Sequence, residues 1–168
     1  MFTNKCTYTK EVYREGLFGY SKHSVVVSIV SLSFLIIITA SQLVQRTFSF
    51  EYLLMLIVLV LTIISLILFM FLKSDMIYKR TIEVYHEEII ATTSFFDDHI
   101  VSIAQPSNAM FTIRYDQIKR VISTKQLYLL VIRFQLYFII NKNGFDKINM
   151  VEFEPFLREK APKAKFQL

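Results

Sequence analysis

Two long uninterrupted apolar stretches, then a region in which apolar and polar positions alternate, divide this chain. Residues 25–44, VVVSIVSLSFLIIITASQLV, hold no charge over 20 positions, and at about 1.5 Å rise per residue a helix of that length spans roughly 30 Å, the thickness of a bilayer core. Residues 52–72 are more apolar still, with 16 Leu, Ile, Val or Phe among 21 positions, framed by Glu51 and Lys73. At roughly −0.3 to −0.6 kcal/mol for each such residue at a helix centre, their insertion drive is on the order of −5 to −10 kcal/mol as an upper bound. The short connector 45–51 forces an antiparallel arrangement, so residues 25–72 are expected to form a transmembrane hairpin. A cleaved signal sequence fits less well, because the first stretch follows 24 residues that include two acids, exceeds an h-region of roughly 7 to 15 residues, and is followed by a second span.

From Thr81 onward the period becomes two, with Ile82 and Val84 set against Glu83 and Tyr85, and Phe111, Ile113 and Tyr115 against Thr112 and Arg114. That alternation predicts strands at 81–85, 88–95, 99–104, 110–115, 119–124, 127–132 and 135–141, an antiparallel sheet curling into a sandwich or partial barrel. The tail 149–160 turns helical: Phe153, Phe156 and Leu157 share one face, and Asn149 with Glu152 resembles a capping box. Pro155 either kinks that helix or starts it. Before the first span, residues 9–24 predict a short helix with Thr9 as N-cap and Tyr13, Leu17 and Tyr20 on one stripe. Gly16 and Gly19 weaken it by about 1 kcal/mol each, and it either lies along the headgroups or frays. The expected organisation is a membrane α+β chain: a cytoplasmic flank 1–24, the hairpin 25–72, and a β-rich domain 73–168 capped by a C-terminal helix.

Composition sharpens this picture. The 168 residues are 54% hydrophobic and include no Trp, and 14 of the 19 Lys and Arg lie from Lys73 onward. Lys5, Lys10, Arg14 and Lys22 precede the first span and Lys73, Lys79 and Arg80 follow the second, whereas the connector has only Arg46. Cations near a span resist translocation, so both termini are expected in the cytoplasm, with 45–51 outside. Ser24, Ser28 and Ser31 recur on one face of the first helix, where small side chains permit close approach.

Candidate chemistry is sparse. Tyr85-His86-Glu87-Glu88 and Phe96-Asp97-Asp98-His99 join imidazole to carboxylates, ligand types a divalent metal accepts, but they fall at strand reversals, where polar residues are ordinary. No Gly-rich phosphate loop, helical His pair or nucleophile elbow occurs, and Cys6 is the single cysteine. The spans hold no ionisable residue, which argues against a transporter acting alone. One charge feature stands out: Arg114, Lys119, Arg120, Lys125 and Arg133 lie within 20 residues whose sole acid is Asp116. Beside an anionic leaflet such cations contribute about 1 kcal/mol each; nucleic acid is not expected, for want of groove-reading elements.

Seven strands closed by a helix is the plan of a pleckstrin-homology-like domain. The order Tyr115-Asp116-Gln117-Ile118-Lys119-Arg120, the LYLLV strand, Asn141-Lys142-Asn143-Gly144-Phe145 and Glu152-Phe153-Glu154-Pro155-Phe156-Leu157 resembles the YcxB-like family of bacterial membrane proteins. That resemblance implies a two-span anchor in the cell membrane, a cytoplasmic PH-like domain and no established enzymatic activity; no enzyme and no cofactor are expected. The function expected is a membrane-anchored binding, regulatory or scaffold role. Its partners would be the lipid bilayer, anionic headgroups, another membrane protein or a second copy of the chain. The alternative is immunity against membrane-active peptides, which size, a net charge of +5 and membrane placement also fit.

Overall fold

The computed structural model describes residues 2–45, 50–133, 136–145 and 147–167, with the side chains of residues 42–45, 133 and 147–150 outside that description. Strand β1 (Phe2–Thr7) leads into helix α1 (Lys10–Gln45), which is followed by α2 (Phe50–Tyr85). Strands β2 (Ile90–Phe95), β3 (His99–Gln105), β4 (Ala109–Arg114), β5 (Arg120–Ser123), β6 (Leu127–Arg133) and β7 (Leu136–Asn141) come next, then α3 (Lys147–Lys160) and β8 (Lys165–Gln167). Two long apolar helices, two four-stranded sheets and a C-terminal helix make the α+β layout that the hydrophobic pattern predicts.

The chain forms two compact units, one from residues 21–73 and one from residues 1–20 together with 74–168. In the first, α1 and α2 each contribute a helix long and apolar enough to cross a membrane, and only 6% of each apolar window is buried. A core helix of a soluble protein would be mostly buried, so these surfaces suit lipid. The less exposed positions include one stripe per helix, Val25, Ile29, Leu32, Ile36 and Thr39 on α1 and Tyr52, Leu56, Leu59, Ile63 and Met70 on α2, with Ser33, Ala40 and Leu53 beside them. Along the stripes, alternating spacings of four and three, with one step of seven on α2, mark one face of each helix. Ser24, Ser28 and Ser31 are exposed, off that stripe, and Ser31 Oγ donates to the Val27 carbonyl at 2.9 Å. The connector positions 46–49 lie outside the described residues.

The second unit is a β-sandwich with an extra helical layer. Its first sheet has the order β1-β2-β3-β4, antiparallel throughout, and its second β7-β6-β5-β8, with β8 parallel to β5. Between the sheets, Phe95, Ile100, Ile113, Val121, Leu130 and Ile140 pack with Phe153 and Leu157 of α3. Phe153 is the hub, its ring centroid 4.4 Å from Phe145, 4.8 Å from Phe95 and 5.6 Å from Tyr128. The other face of the second sheet is buried too: Ile122, Leu127, Leu129, Val131 and Ile139 pack with Cys6 and Val12. Burial on both faces explains why β6 reads as a continuous apolar run instead of an alternation.

Several expectations change. Residues 81–85 are the last turn and a half of α2, not a strand. Their alternating pattern also satisfies a helical stripe through Tyr78, Thr81 and Ile82, and extending a formed helix is easier than nucleating a strand. His86, at φ 58°, ends it in a left-handed cap, its N–H bonded to the Ile82 carbonyl at 2.8 Å. Thr9 caps α1 as expected, its Oγ1 accepting from the Val12 N–H at 3.3 Å, but the helix does not end at residue 24 and runs to Gln45. Residues 2–7, expected as a flank, are a strand, and 165–167 add a second strand beyond the expected end of the sheet. The C-terminal helix begins at Lys147 and carries Pro155 inside it; the Asn149 side chain of the expected capping box lies outside the described residues.

Candidate functional site

The N-terminal twenty residues build the part of the domain that no other segment supplies. β1 pairs with β2 from Phe2↔Phe95 to Thr7↔Ile90, and it puts Asn4 and Cys6 inside, each 1% exposed. Asn4 bridges the sheets: its Nδ2 donates to the Asn141 carbonyl at 2.7 Å and its Oδ1 accepts from the Asn141 N–H at 3.2 Å. α1 then crosses the outer face of the second sheet. A Cβ on Gly16 would stand 3.3 Å from Ile139 Cδ1, and one on Gly19 would stand too close to Thr124 Cγ2 and 3.1 Å from Leu129 Cδ1. Those glycines lower helix propensity but let the helix backbone lie near the sheet, Gly19 more tightly than Gly16, whose Cβ would meet only the mobile end of Ile139. Glu15 holds the β5–β6 turn, accepting from Thr124 Oγ1 at 2.6 Å and from the Gln126 N–H at 2.7 Å.

The same helix is tied to the C-terminal part of α2. Asp75 bonds Lys10 Nζ at 2.8 Å and Arg14 at 3.2 Å, and Tyr13 Oη lies 3.2 Å from Thr81 Oγ1. The Lys10 ammonium, with Arg14 beside it, holds the Asp75 carboxyl below its usual range against a smaller desolvation effect. Burial pushes the Cys6 thiol up to about 12, partly offset by a hydrogen bond with the Asn141 backbone. Tyr8 and Tyr115 are raised for the same reason, and the Tyr115 hydroxyl donates to the Phe96 carbonyl at 2.6 Å.

The five cations singled out in the sequence do not form one cluster. Arg114 ends β4 in the first sheet, exposed, its Nε 3.5 Å from Asp116. Arg120 opens β5 and Lys119 precedes it; the Lys119 side chain is exposed, and its backbone bonds Val131 and Lys165. Arg120 lies over the Tyr20 ring at 5.7 Å, and Tyr20 stacks on Tyr137 at 5.1 Å. Lys125 is exposed at the far end of β5, in the turn that Glu15 holds. The side chain of Arg133 lies outside the described residues. A cation absent from the sequence reading joins Lys119 and Arg120: Lys165 of β8 is the register partner of Arg120 and is exposed. Register partners on neighbouring strands project side by side, so two like charges there repel unless an anion sits between them. The basic tail Lys160 to Lys165 was the available signal, but a three-residue parallel strand has no periodicity to read.

The acidic clusters resolve into ordinary structure. Glu88 accepts a hydrogen bond from Tyr78 Oη at 3.1 Å, and Asp98 and His99, 2.5 Å apart, turn β2 into β3. Among the described residues no three His, Cys, Asp or Glu side chains converge as a metal site.

Comparison with protein families matches residues 95–157 to the model described as YcxB-like protein, a stretch running from the end of β2 into α3. Comparisons with curated proteins and with solved structures give no match.

Proposed function

Starting from a chain that carries a YcxB-like domain at residues 95–157 and two helices long and apolar enough to cross a membrane, we propose a membrane-anchored, non-enzymatic binding or scaffold protein. Its hairpin anchors it in the bacterial cell membrane, and its PH-like domain works from the cytoplasmic face on anionic headgroups or a membrane partner. One observation carries the reading: residues 1–20 and 74–168, on either side of the hairpin, make a single compact unit. Segments that share a core need the same side of the bilayer, so an even number of crossings follows. The cations flanking the spans favour the cytoplasm for that side.

Lys119, Arg120 and Lys165 supply the contact with headgroup phosphates. At about 1 kcal/mol per cation near an anionic surface they contribute roughly 3 kcal/mol, a bias of about 100-fold, which added salt screens. The test uses the full chain reconstituted in neutral and in anionic vesicles, with amine modification of Lys119 and Lys165 as the readout. Both lysines are expected to be protected in anionic vesicles and to regain reactivity in high salt. Equal modification in the two lipids rejects the headgroup contact, and crosslinking with pull-down from native membranes then asks for a protein partner.

A further inference from the structure

The chain contains three glycines, and all of them lie where residues 1–20 meet the rest of the domain. Gly16 faces Ile139 and Tyr137, Gly19 faces Thr124 and Leu129, and Gly144 faces Asn4 and the Lys5 backbone. The Gly144 contact is the tightest, since a Cβ there would overlap the Lys5 carbonyl oxygen. With so few glycines to place, a chain that puts each at one seam has been shaped for close backbone docking along it. The seam is also where the buried polar bridge forms, Asn4 to Asn141, and where Glu15 and Asp75 take their partners. Without residues 1–20, five aliphatic side chains on the outer face of the second sheet, Ile122, Leu127, Leu129, Val131 and Ile139, lose their cover, and β2 becomes an open edge.

We propose that closure of this domain is conditional on the number of membrane crossings: a single crossing leaves β1 and its docking partners on opposite sides, so a chain in which one of the two apolar helices fails to cross cannot complete it. The segment 1–20 is made before the hairpin and its docking surface after it, so closure reports an even number of crossings. A chain with one failed span then presents an unfinished domain, with an open strand edge and bare aliphatic surface, to whatever would bind it. The inference rests on the two helices being spans and is indifferent to what the closed domain binds, so failure of the headgroup contact leaves it standing.

Cys6 makes closure measurable, being the chain's single cysteine and 1% exposed on the inner face of β1. The experiment labels the full chain in native membranes with a small membrane-permeant maleimide. Wild type is expected to label slowly. The double variant Leu59→Arg, Ile63→Arg, which disables the second span alone, is expected to label faster by on the order of 100-fold or more, as a thiol does on leaving a core for open chain. Replacing residues 52–72 of wild type by an unrelated apolar segment of equal length should keep Cys6 protected, which separates crossing from the particular side chains of the span. Protection that survives the double arginine variant overturns the proposal, and so does labelling of the unrelated-segment chain at the fast rate. Retention of wild type in membranes after alkaline carbonate checks the underlying spans separately.

Discussion

Adding one methyl group at residue 144 should open the domain. A Cβ on Gly144 would overlap the Lys5 carbonyl oxygen and stand 3.0 Å from both Lys5 C and Asn4 Nδ2. The obstacles are backbone and a buried amide, neither of which can rotate aside, so β1 has to move away from the Asn141–Phe145 turn. Overpacking of that kind costs about 1–3 kcal/mol. The shift also breaks the two Asn4 bonds to Asn141, at about 1 kcal/mol each, for a total of about 3–5 kcal/mol. Domains of this size are stable by about 5–15 kcal/mol, so Gly144→Ala leaves a folded but much looser protein. At 1.4 kcal/mol per decade in the opening equilibrium, Cys6 in Gly144→Ala should react with a maleimide about two to three orders of magnitude faster than in wild type. Gly16→Ala is the matched control. Its Cβ meets the mobile end of Ile139 at 3.3 Å, and the helix gains up to about 1 kcal/mol of propensity, so its labelling rate should stay near that of wild type. Equal rates for Gly144→Ala and wild type would refute the close docking of β1.

How much of this was legible beforehand depends on where each signal lies. The two long apolar helices were plain, because a run of 20 positions without a charge needs no long-range information to read. Six of the seven expected strands stand within a residue or two, since half-buried strands such as β3 keep their alternation; the seventh, 81–85, failed because a stretch leaving a helix inherits its conformation. What could not be read was long-range. Nothing local to Phe2–Thr7 says that its partner, β2, follows after more than eighty residues of intervening chain. Gly16 and Gly19 read as helix weakeners, whereas in the fold they let α1 approach the outer face of the second sheet. Of the basic residues, spacing along the chain brought five together, whereas the sheets separate Arg114 and Lys125 from Lys119 and Arg120 and add Lys165.

Three further outcomes follow from the same packing. Phe153→Ala removes the ring at the centre of the Phe95, Phe145 and Tyr128 cluster and should cost about 3–5 kcal/mol, read as a lowered urea midpoint of the detergent-solubilised chain; a loss under about 1 kcal/mol contradicts the assigned core. A chain lacking residues 2–20 should be degraded or should bind a hydrophobic dye, because five aliphatic side chains at about 1.5–3 kcal/mol each lose burial comparable to the whole stability; a compact, protease-resistant product contradicts the split domain. Asp75 is held below its ordinary value of 3.8, so its pairing with Lys10 and Arg14 stabilises fully above that pH and is lost only as pH falls through the lowered value. The stability difference between wild type and Asp75→Asn should therefore be constant from pH 7 to about 5 and shrink below about 4; a difference that already fades near pH 6 contradicts the pairing.

The most direct measurement is an oxidative crosslink between β1 and β2 across the hairpin. In a Cys6→Ala background, Lys5→Cys and Thr92→Cys place thiols on register partners on the outer face of the first sheet. Mild oxidation of intact membranes should give an intramolecular disulfide in the carbonate-resistant fraction, and the pair Lys5→Cys with Ile90→Cys, two positions out of register, should give far less. No crosslink at the first pair, or equal yields at both, would contradict a domain assembled from the two flanks of a membrane hairpin.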